Sequence, residues 1–547
     1  MRRLLGLASV VVVGLSSAAG SALGATVQRF PHGFLWGTAI SGFQTEMGRR
    51  RNEDRGSDWW VWAHDPANIA AHRVSGDKPE LGPGDYALFR TDIALAHDQL
   101  HNNAMRISIE WSRIFPRSTA GVTGPLDLAE LKRLDKLADP RAVRHYREEL
   151  IAIRGASMTP FVTVNHFTLP LWIDDPISAR DALARLGPNE APPSGLPRAG
   201  WLSASTVPEF AKYCAYLAWK YGKLVHFWTP INEPVVVASS GYVNIPGVVG
   251  DFFPPGVLNY PAAIRSLVNM VRANAACYDA IHKWDPHTAV GLVQNMVAFT
   301  PANPNSATDV MATKHANYLF NSWFLNAAVR GDIDANGNGV IDPGEHHRQL
   351  VGKADFIGVN YYFRGRVSAL GSPLTPTIPV LDFLPSTNYR TRQNPHAPPC
   401  PTTCSDFGNE IYPAGLTQVL RIAGSYDLPV YITENGIADA RDRLRPSYMV
   451  KQLLVLLAAI QHHIADVRGF FEWSLVDNFE WSAGYAEKFG LYSFDTRTLK
   501  RTPRPSARYY GQIAQANGIP AALARRFGEC RVRLHDRSTA QKYLPGC

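Results

Sequence analysis

Eight short β-type runs, each followed by a stretch long enough for a helix, restrict this chain to few architectures. The runs are Phe34 to Ala39, Ala104 to Ile109, Met158 to Val164, Val225 to Ile231, Ala289 to Asn295, Phe356 to Asn360, Pro429 to Thr433 and Val467 to Trp473. Amphipathic helical stretches fill the gaps, among them Asp85 to Leu100, Pro140 to Ala156, Val207 to Tyr221, Pro261 to Trp284, Thr308 to Val329 and Pro446 to His463. Such alternation implies parallel strands joined by helical crossovers, and eight strands close a barrel. The expected fold class is α/β, a single (β/α)8 TIM barrel with elaborated loops at its C-terminal face. The chain of 547 residues is longer than a minimal barrel, and its 46% hydrophobic content suffices for one large core. Two long connections, 174–200 after the third strand and 365–405 after the sixth, follow strands and precede helices, so both are expected over the active face.

The termini carry separate signals. Met1 to Gly24 has two arginines, an apolar stretch from Leu4 to Val13 and small residues toward Gly24, the three regions of a secretory signal peptide. Cleavage near Ala25 and a secreted or periplasmic location are expected. The apolar run is short for a membrane span. Residues 25–515 then form the barrel, and 516–547 a tail packed on it. The net charge of +8 comes with no dense Lys/Arg run that would track phosphates, so no nucleic-acid partner is expected. Six cysteines in an exported chain suggest disulfides. Cys400 and Cys404 are close enough in sequence to pair locally, and Cys530 with Cys547 would tie down the tail. Cys214 and Cys277 lie in helix-like segments and fit either a bond or buried thiols.

Two carboxylates stand out. Glu233 lies in Thr229-Pro230-Ile231-Asn232-Glu233-Pro234 and Glu434 in Tyr431-Ile432-Thr433-Glu434-Asn435-Gly436. Each follows a β-type run and precedes a Pro or Gly that stops it, so both sit at strand ends, which a parallel barrel gathers on one face. Two carboxyl groups about 5 Å apart are what a retaining glycosidase needs.

Around them, Phe34-Leu35-Trp36-Gly37-Thr38-Ala39, Gln44, Glu46, Arg106, Trp111-Ser112-Arg113-Ile114-Phe115-Pro116, His166, Asn360-Tyr361-Tyr362, Glu410-Ile411-Tyr412-Pro413, Trp473-Ser474-Leu475 and Asp477-Asn478-Phe479-Glu480-Trp481 occur in order. With both glutamate phrases, this series resembles the family 1 glycoside hydrolases from Phe30 to about Tyr510. Gly42-Phe43-Gln44-Thr45-Glu46-Met47-Gly48 and Leu169-Pro170-Leu171-Trp172 are most similar to their archaeal-type β-glycosidase branch. The resemblance implies Glu233 as general acid/base and Glu434 as nucleophile, with Arg106 and Tyr362 keeping Glu434 ionised. It implies Asn232 at the sugar 2-hydroxyl, and Gln44, His166 and Glu480 at the other hydroxyls. Trp473 and Trp481 would wall the sugar, and Asn360 and Asn295 would lie near the floor. Arg106, inside an apolar strand, needs a carboxylate partner, either Glu434 or Glu110. The implied reaction is hydrolysis of terminal non-reducing β-D-glucosyl residues, with galactosyl or fucosyl residues also admitted, on a small β-glycoside or oligosaccharide substrate and without a catalytic cofactor. A transglycosylase with the same site and a non-catalytic carbohydrate-binding relative are the alternatives. Glu480 would repel a sugar phosphate. Phe167 stands where the family usually has Trp, which leaves the glycone open.

A second motif is independent of the family. Asp334 to Glu345 fits the EF-hand loop, with Asp334, Asn336, Asn338, the Val340 carbonyl, Asp342 and Glu345 as ligands and Gly339 at the turn. Structural calcium is therefore expected. Its place between the fifth helix and the sixth strand predicts a position opposite the active face.

Overall fold

The computed structural model describes residues 27–244, 252–369, 378 and 380–528. Strands β1 (Leu35–Ala39), β2 (Ala104–Ser108), β3 (Thr159–Asn165), β4 (Phe227–Ile231), β5 (Ala289–Pro301), β6 (Phe356–Ser368), β7 (Val430–Asn435) and β8 (Val467–Trp473) run parallel. Neighbours in sequence pair in turn and β8 returns to β1, so the sheet closes. The surrounding helices include α1 (Asp85–Ala94), α2 (Pro140–Gly155), α3 (Thr206–Tyr221), α4 (Pro234–Tyr242), α5 (Tyr260–Trp284), α6 (Ala307–Asn317), α7 (Gly415–Gly424), α8 (Arg445–Gln461) and α9 (Pro505–Ala516).

Aromatic side chains fill the lower barrel. The Phe161 and Phe227 rings stack at 5.1 Å, and Phe356, Tyr431 and Phe471 meet Phe161 edge-on. Edge-to-face packing favours the ring quadrupoles and closes the interior to solvent. Gly37 makes room for this layer, since a Cβ there would lie 2.4 Å from the Phe471 ring. Polar strand ends sit above this floor.

Two strands exceed their sequence reading. β5 continues beyond Asn295 and β6 beyond Asn360, and past an irregularity between Met296 and Ala298 they pair as a ribbon above the rim, Phe299 opposite Gly365 and Pro301 opposite Val367. Strand Leu384–Ser386, inside the 365–405 connection, adds antiparallel to this ribbon. The 174–200 connection holds a helix, Pro176–Leu183, and its Pro188 carbonyl accepts from the Tyr260 N–H at the start of α5. The Asn259 side chain caps α5 by accepting from Ala262 N–H at 2.9 Å, with Pro261 in the first turn.

The helix after β5 is not uniformly α. A π turn at Tyr318–Ser322 and another at Asn326–Arg330 follow α6, each a local widening that shifts the side chains beyond it around the axis. Cys214 and Cys277 are bonded, joining α3 to α5, and Cys400 is bonded to Cys404. Cys530 and Cys547 lie outside the described residues, as does the expected signal peptide. The described part of the tail packs on the barrel. Gly518–Ile519 pairs with Gln28–Arg29, and the Ser447 hydroxyl donates to the Phe527 carbonyl at 3.1 Å. No helix among the described residues is long and apolar enough to cross a membrane.

Candidate active site

Glu434 ends β7 beneath two donors. The Arg106 guanidinium, from β2, pairs with one carboxylate oxygen, and the Tyr362 hydroxyl donates to the other at 2.5 Å. Arg106 is itself held by the Thr163 hydroxyl at 3.1 Å, the Thr433 carbonyl at 3.3 Å and the Asn232 carbonyl oxygen at 2.7 Å. A buried guanidinium demands such saturation. Of the two partners open from sequence, Arg106 takes Glu434. Glu110 instead accepts from the Thr168 hydroxyl at 2.6 Å and the Phe43 N–H at 3.2 Å. Burial and the Glu434 charge push the Tyr362 phenol well above its ordinary pKa, so it remains a donor. Gly436 follows because the chain passes close to β8: a Cβ there would lie 1.9 Å from the Trp473 carbonyl.

Glu233 has a different environment. It adopts a left-handed backbone at φ 49° where β4 turns into α4, which lifts its carboxyl out of the strand and over the barrel mouth. Asn360 donates to it at 2.6 Å and Asn295 at 3.3 Å, and among the described residues no cation pairs with it directly. Burial, then the Glu434 charge, raises its pKa to about 8, with the Asn360 and Asn295 hydrogen bonds opposing. Asn360 couples the two halves. Its carbonyl oxygen accepts from the Thr433 hydroxyl at 2.7 Å, which directs its N–H2 at Glu233 and, at 3.3 Å, at Asn232.

A cavity of about 370 Å³ reaches both glutamates. Its wall includes Gln44, His166, Asn295, Tyr362, Trp473, Glu480 and Trp481. Arg106, Asn232 and Asn360 are buried behind this wall and hold the residues in front of them. Gln44 donates to the Phe479 carbonyl at 3.0 Å and accepts from Ser41, while Asn478 donates to Glu480 at 2.6 Å. The His166 ring lies nearly parallel to Trp473 at 5.8 Å and to Trp481 at 6.2 Å. Burial, then Arg106, drives its pKa well below the usual histidine value, so it is neutral. Its Nε2 faces the Asn232 amide at 3.5 Å. Phe167, in a left-handed conformation, packs edge-on against Trp481 and Phe253.

Every residue implied at the glycone end is thus gathered at one face. Sequence reasoning missed the other part of the wall, apolar side chains of α4, α5, the π turn and the β5–β6 ribbon. At helical spacing these residues are indistinguishable from core.

The EF-hand-like loop is placed differently from its expected position. Gly337 sits beside Tyr260 and Leu319, both in the cavity wall, so the loop flanks the active half and not the opposite face. The Tyr318 hydroxyl at 2.7 Å and the Trp323 indole at 2.7 Å bind Asp334 and draw the loop back along the helix. Its ligand candidates engage one another. Asp334 accepts from the N–H groups of Gly337, Asn338 and Gly339, Asn336 donates to Asp342 at 3.0 Å, and Glu345 accepts from Ala335 and Asp342. Val340 is exposed. Among the described residues no three His, Cys, Asp or Glu side chains are gathered as a metal would require.

A barrel whose strand ends carry one cation-paired glutamate and one glutamate of raised pKa, beside an indole-walled polar pocket, defines a glycoside-cleaving hydrolase. The comparisons agree. The model of glycosyl hydrolase family 1 matches residues 26–178 and 191–519. A β-galactosidase of Pyrococcus woesei is 38% identical over 520 residues, covering 90% of this chain and 98% of the relative. β-Glucosidase A of Thermotoga maritima is 28% identical, covering 90% and 99%. The crystal structure of a β-glycosidase from Thermosphaera aggregans superposes with a TM-score of 0.78 at 36% identity, covering 91% of this chain and 99% of that one. The chain belongs to glycosyl hydrolase family 1 and is an O-glycosyl hydrolase, a family that needs no cofactor for catalysis.

Proposed function

We propose that the chain is a retaining, exo-acting β-glycosidase that releases terminal β-D-glucosyl residues, with galactosyl or fucosyl residues as further glycones. The unlike environments of the two glutamates carry this reading. Glu434, held by Arg106 and Tyr362, is the nucleophile. Its carboxylate attacks the anomeric carbon while the glycosidic bond breaks and Glu233 passes its proton to the departing oxygen. In the second step Glu233, now a carboxylate, takes a proton from water as that water displaces Glu434. A pKa of about 8 keeps Glu233 protonated at neutral pH, as the first step requires. Gln44, His166 and Glu480 bind the glycone hydroxyls and Trp473 and Trp481 wall its ring, while Asn232, which the family resemblance assigns to the 2-hydroxyl, stands behind them against His166. Proton NMR of a nitrophenyl β-glucoside digest tests the mechanism: the β-anomer accumulates first, and first appearance of the α-anomer would overturn it. Nitrophenyl galactosides and fucosides run alongside rank the glycones. Partition of product between water and added sugar separates hydrolysis from the transglycosylase alternative.

For the loop from Asp334 to Glu345 we propose structural calcium, supported by its EF-hand spacing. Uptake requires Asp342 and Glu345 to turn from their present partners toward the ion. The melting temperature then rises with calcium and falls with chelator, and an unmoved transition would dismiss the site. Export with cleavage near Ala25 is proposed from the leader-like start, and N-terminal sequencing of protein recovered outside the cytoplasm checks it.

A further inference from the structure

The cavity does not end at the sugar site. A branch continues from Glu233 between α5 and the π turn that follows α6, roofed by the β5–β6 ribbon. Ile264 and Leu267 face it from α5, Leu319 and Phe320 from the π turn, and Val297 and Phe299 from the ribbon. None offers a side-chain hydrogen bond. On α5 these two belong to a stripe with Tyr260 and Ala263, at i, i+3, i+4 and i+7, the pattern that ordinarily packs against a neighbouring helix. Here that stripe fronts the branch, and Ile264, Leu319 and Phe320 remain only half-buried.

An apolar slot continuous with a hydrolytic site selects its ligand by chemistry. Against these six side chains a second sugar would lose its water with few partners for its several hydroxyls, the Tyr260 phenol at the end of the stripe supplying one. A hydrocarbon chain would gain on transfer from water with every methylene. We propose that this enzyme acts on β-glycosides of long aliphatic alcohols, with the sugar at the two glutamates and the alkyl chain between α5 and the π turn. The inference rests on the β-glycosidase reading and adds the aglycone class to it.

The test compares kcat/KM for methyl, butyl, hexyl and octyl β-glycosides, each on glucose and galactose and below micelle-forming concentrations, with cellobiose and cellotriose as the polar arm. From butyl to octyl the value is expected to rise roughly fourfold per methylene, and cellotriose is expected to fall below octyl glucoside. Ile264→Glu and Leu319→Glu should flatten the rise, read as the octyl-to-methyl ratio so that any loss of folded enzyme cancels. Ile264→Phe, which stays apolar but narrows the slot, should move the optimum to a shorter chain. A ratio that stays flat in the unaltered enzyme, or a rise that persists in all three variants, overturns the proposal while short β-glycosides are still cleaved. Cleavage of no β-glycoside at all would remove the underlying reading as well.

Discussion

The two ends of the cavity are built on opposite principles. At the sugar end nearly every polar atom has a fixed partner: Arg106 is saturated by four groups, and Asn360 is aimed by Thr433. At the far end Ile264, Leu267, Leu319, Phe320, Val297 and Phe299 are hydrocarbon and constrained by packing, with the Tyr260 hydroxyl beside them. Directional contacts place charge where a bond is to break, while an apolar slot discriminates only by size and hydration. Chemistry and aglycone choice should therefore separate under mutation.

Glu434→Gln should lower kcat by about 10⁴-fold or more, equally for methyl and octyl glycosides. Stopped-flow or discontinuous assays on both would reveal a loss confined to one aglycone, which would erase the division. Glu233→Ala should cost about 10²- to 10⁴-fold on alkyl glycosides. The loss should shrink on nitrophenyl glycosides, whose leaving oxygen needs less protonation. Tyr362→Phe removes a hydrogen bond to a charged group and should lower kcat/KM by about 10- to 100-fold without changing the octyl-to-methyl ratio. A changed ratio would tie the phenol to the slot.

The smallest effect concerns pH. With Glu233 as the proposed acid, kcat/KM should decline as pH rises through about 8. Asn360 stabilises its charged form, and Asn360→Ala should therefore move that alkaline limb upward. The same carboxyl also acts on stability. Its folded pKa exceeds the ordinary 4.5, so the folded state holds the extra proton, and the contribution to stability falls as pH rises from about 4.5 to about 8. Glu233→Gln should lessen that decline in an unfolding series across this window.

Much of this was legible in the order of residues. Strands β1 to β4, β7 and β8 are short apolar runs stopped by polar or turn residues, and the glutamates sit at two of those stops. The residues proposed for the glycone come from strand ends and the loops just after them, where a barrel permits one direction of approach. What escaped has definite causes. Met296 to Thr300 continues β5 past a bulge that no alternation announces. Thr308 to Val329 reads as one helix because no residue type in it marks where the two π turns interrupt the α winding. Ile264, Leu267 and Leu319 carry no mark separating a cavity wall from a core. The calcium-like loop was misplaced because chain order cannot foresee that Tyr318 and Trp323 pull it back.

The widened turn at Tyr318–Ser322 has an evolutionary corollary. Deleting one residue there would restore ordinary helical winding and close the local widening that the π turn makes. Leu319 and Phe320 would then leave their station, and the space beside them would be refilled. Whether a barrel of this kind has room for a greasy tail is, at this helix, a matter of a single codon.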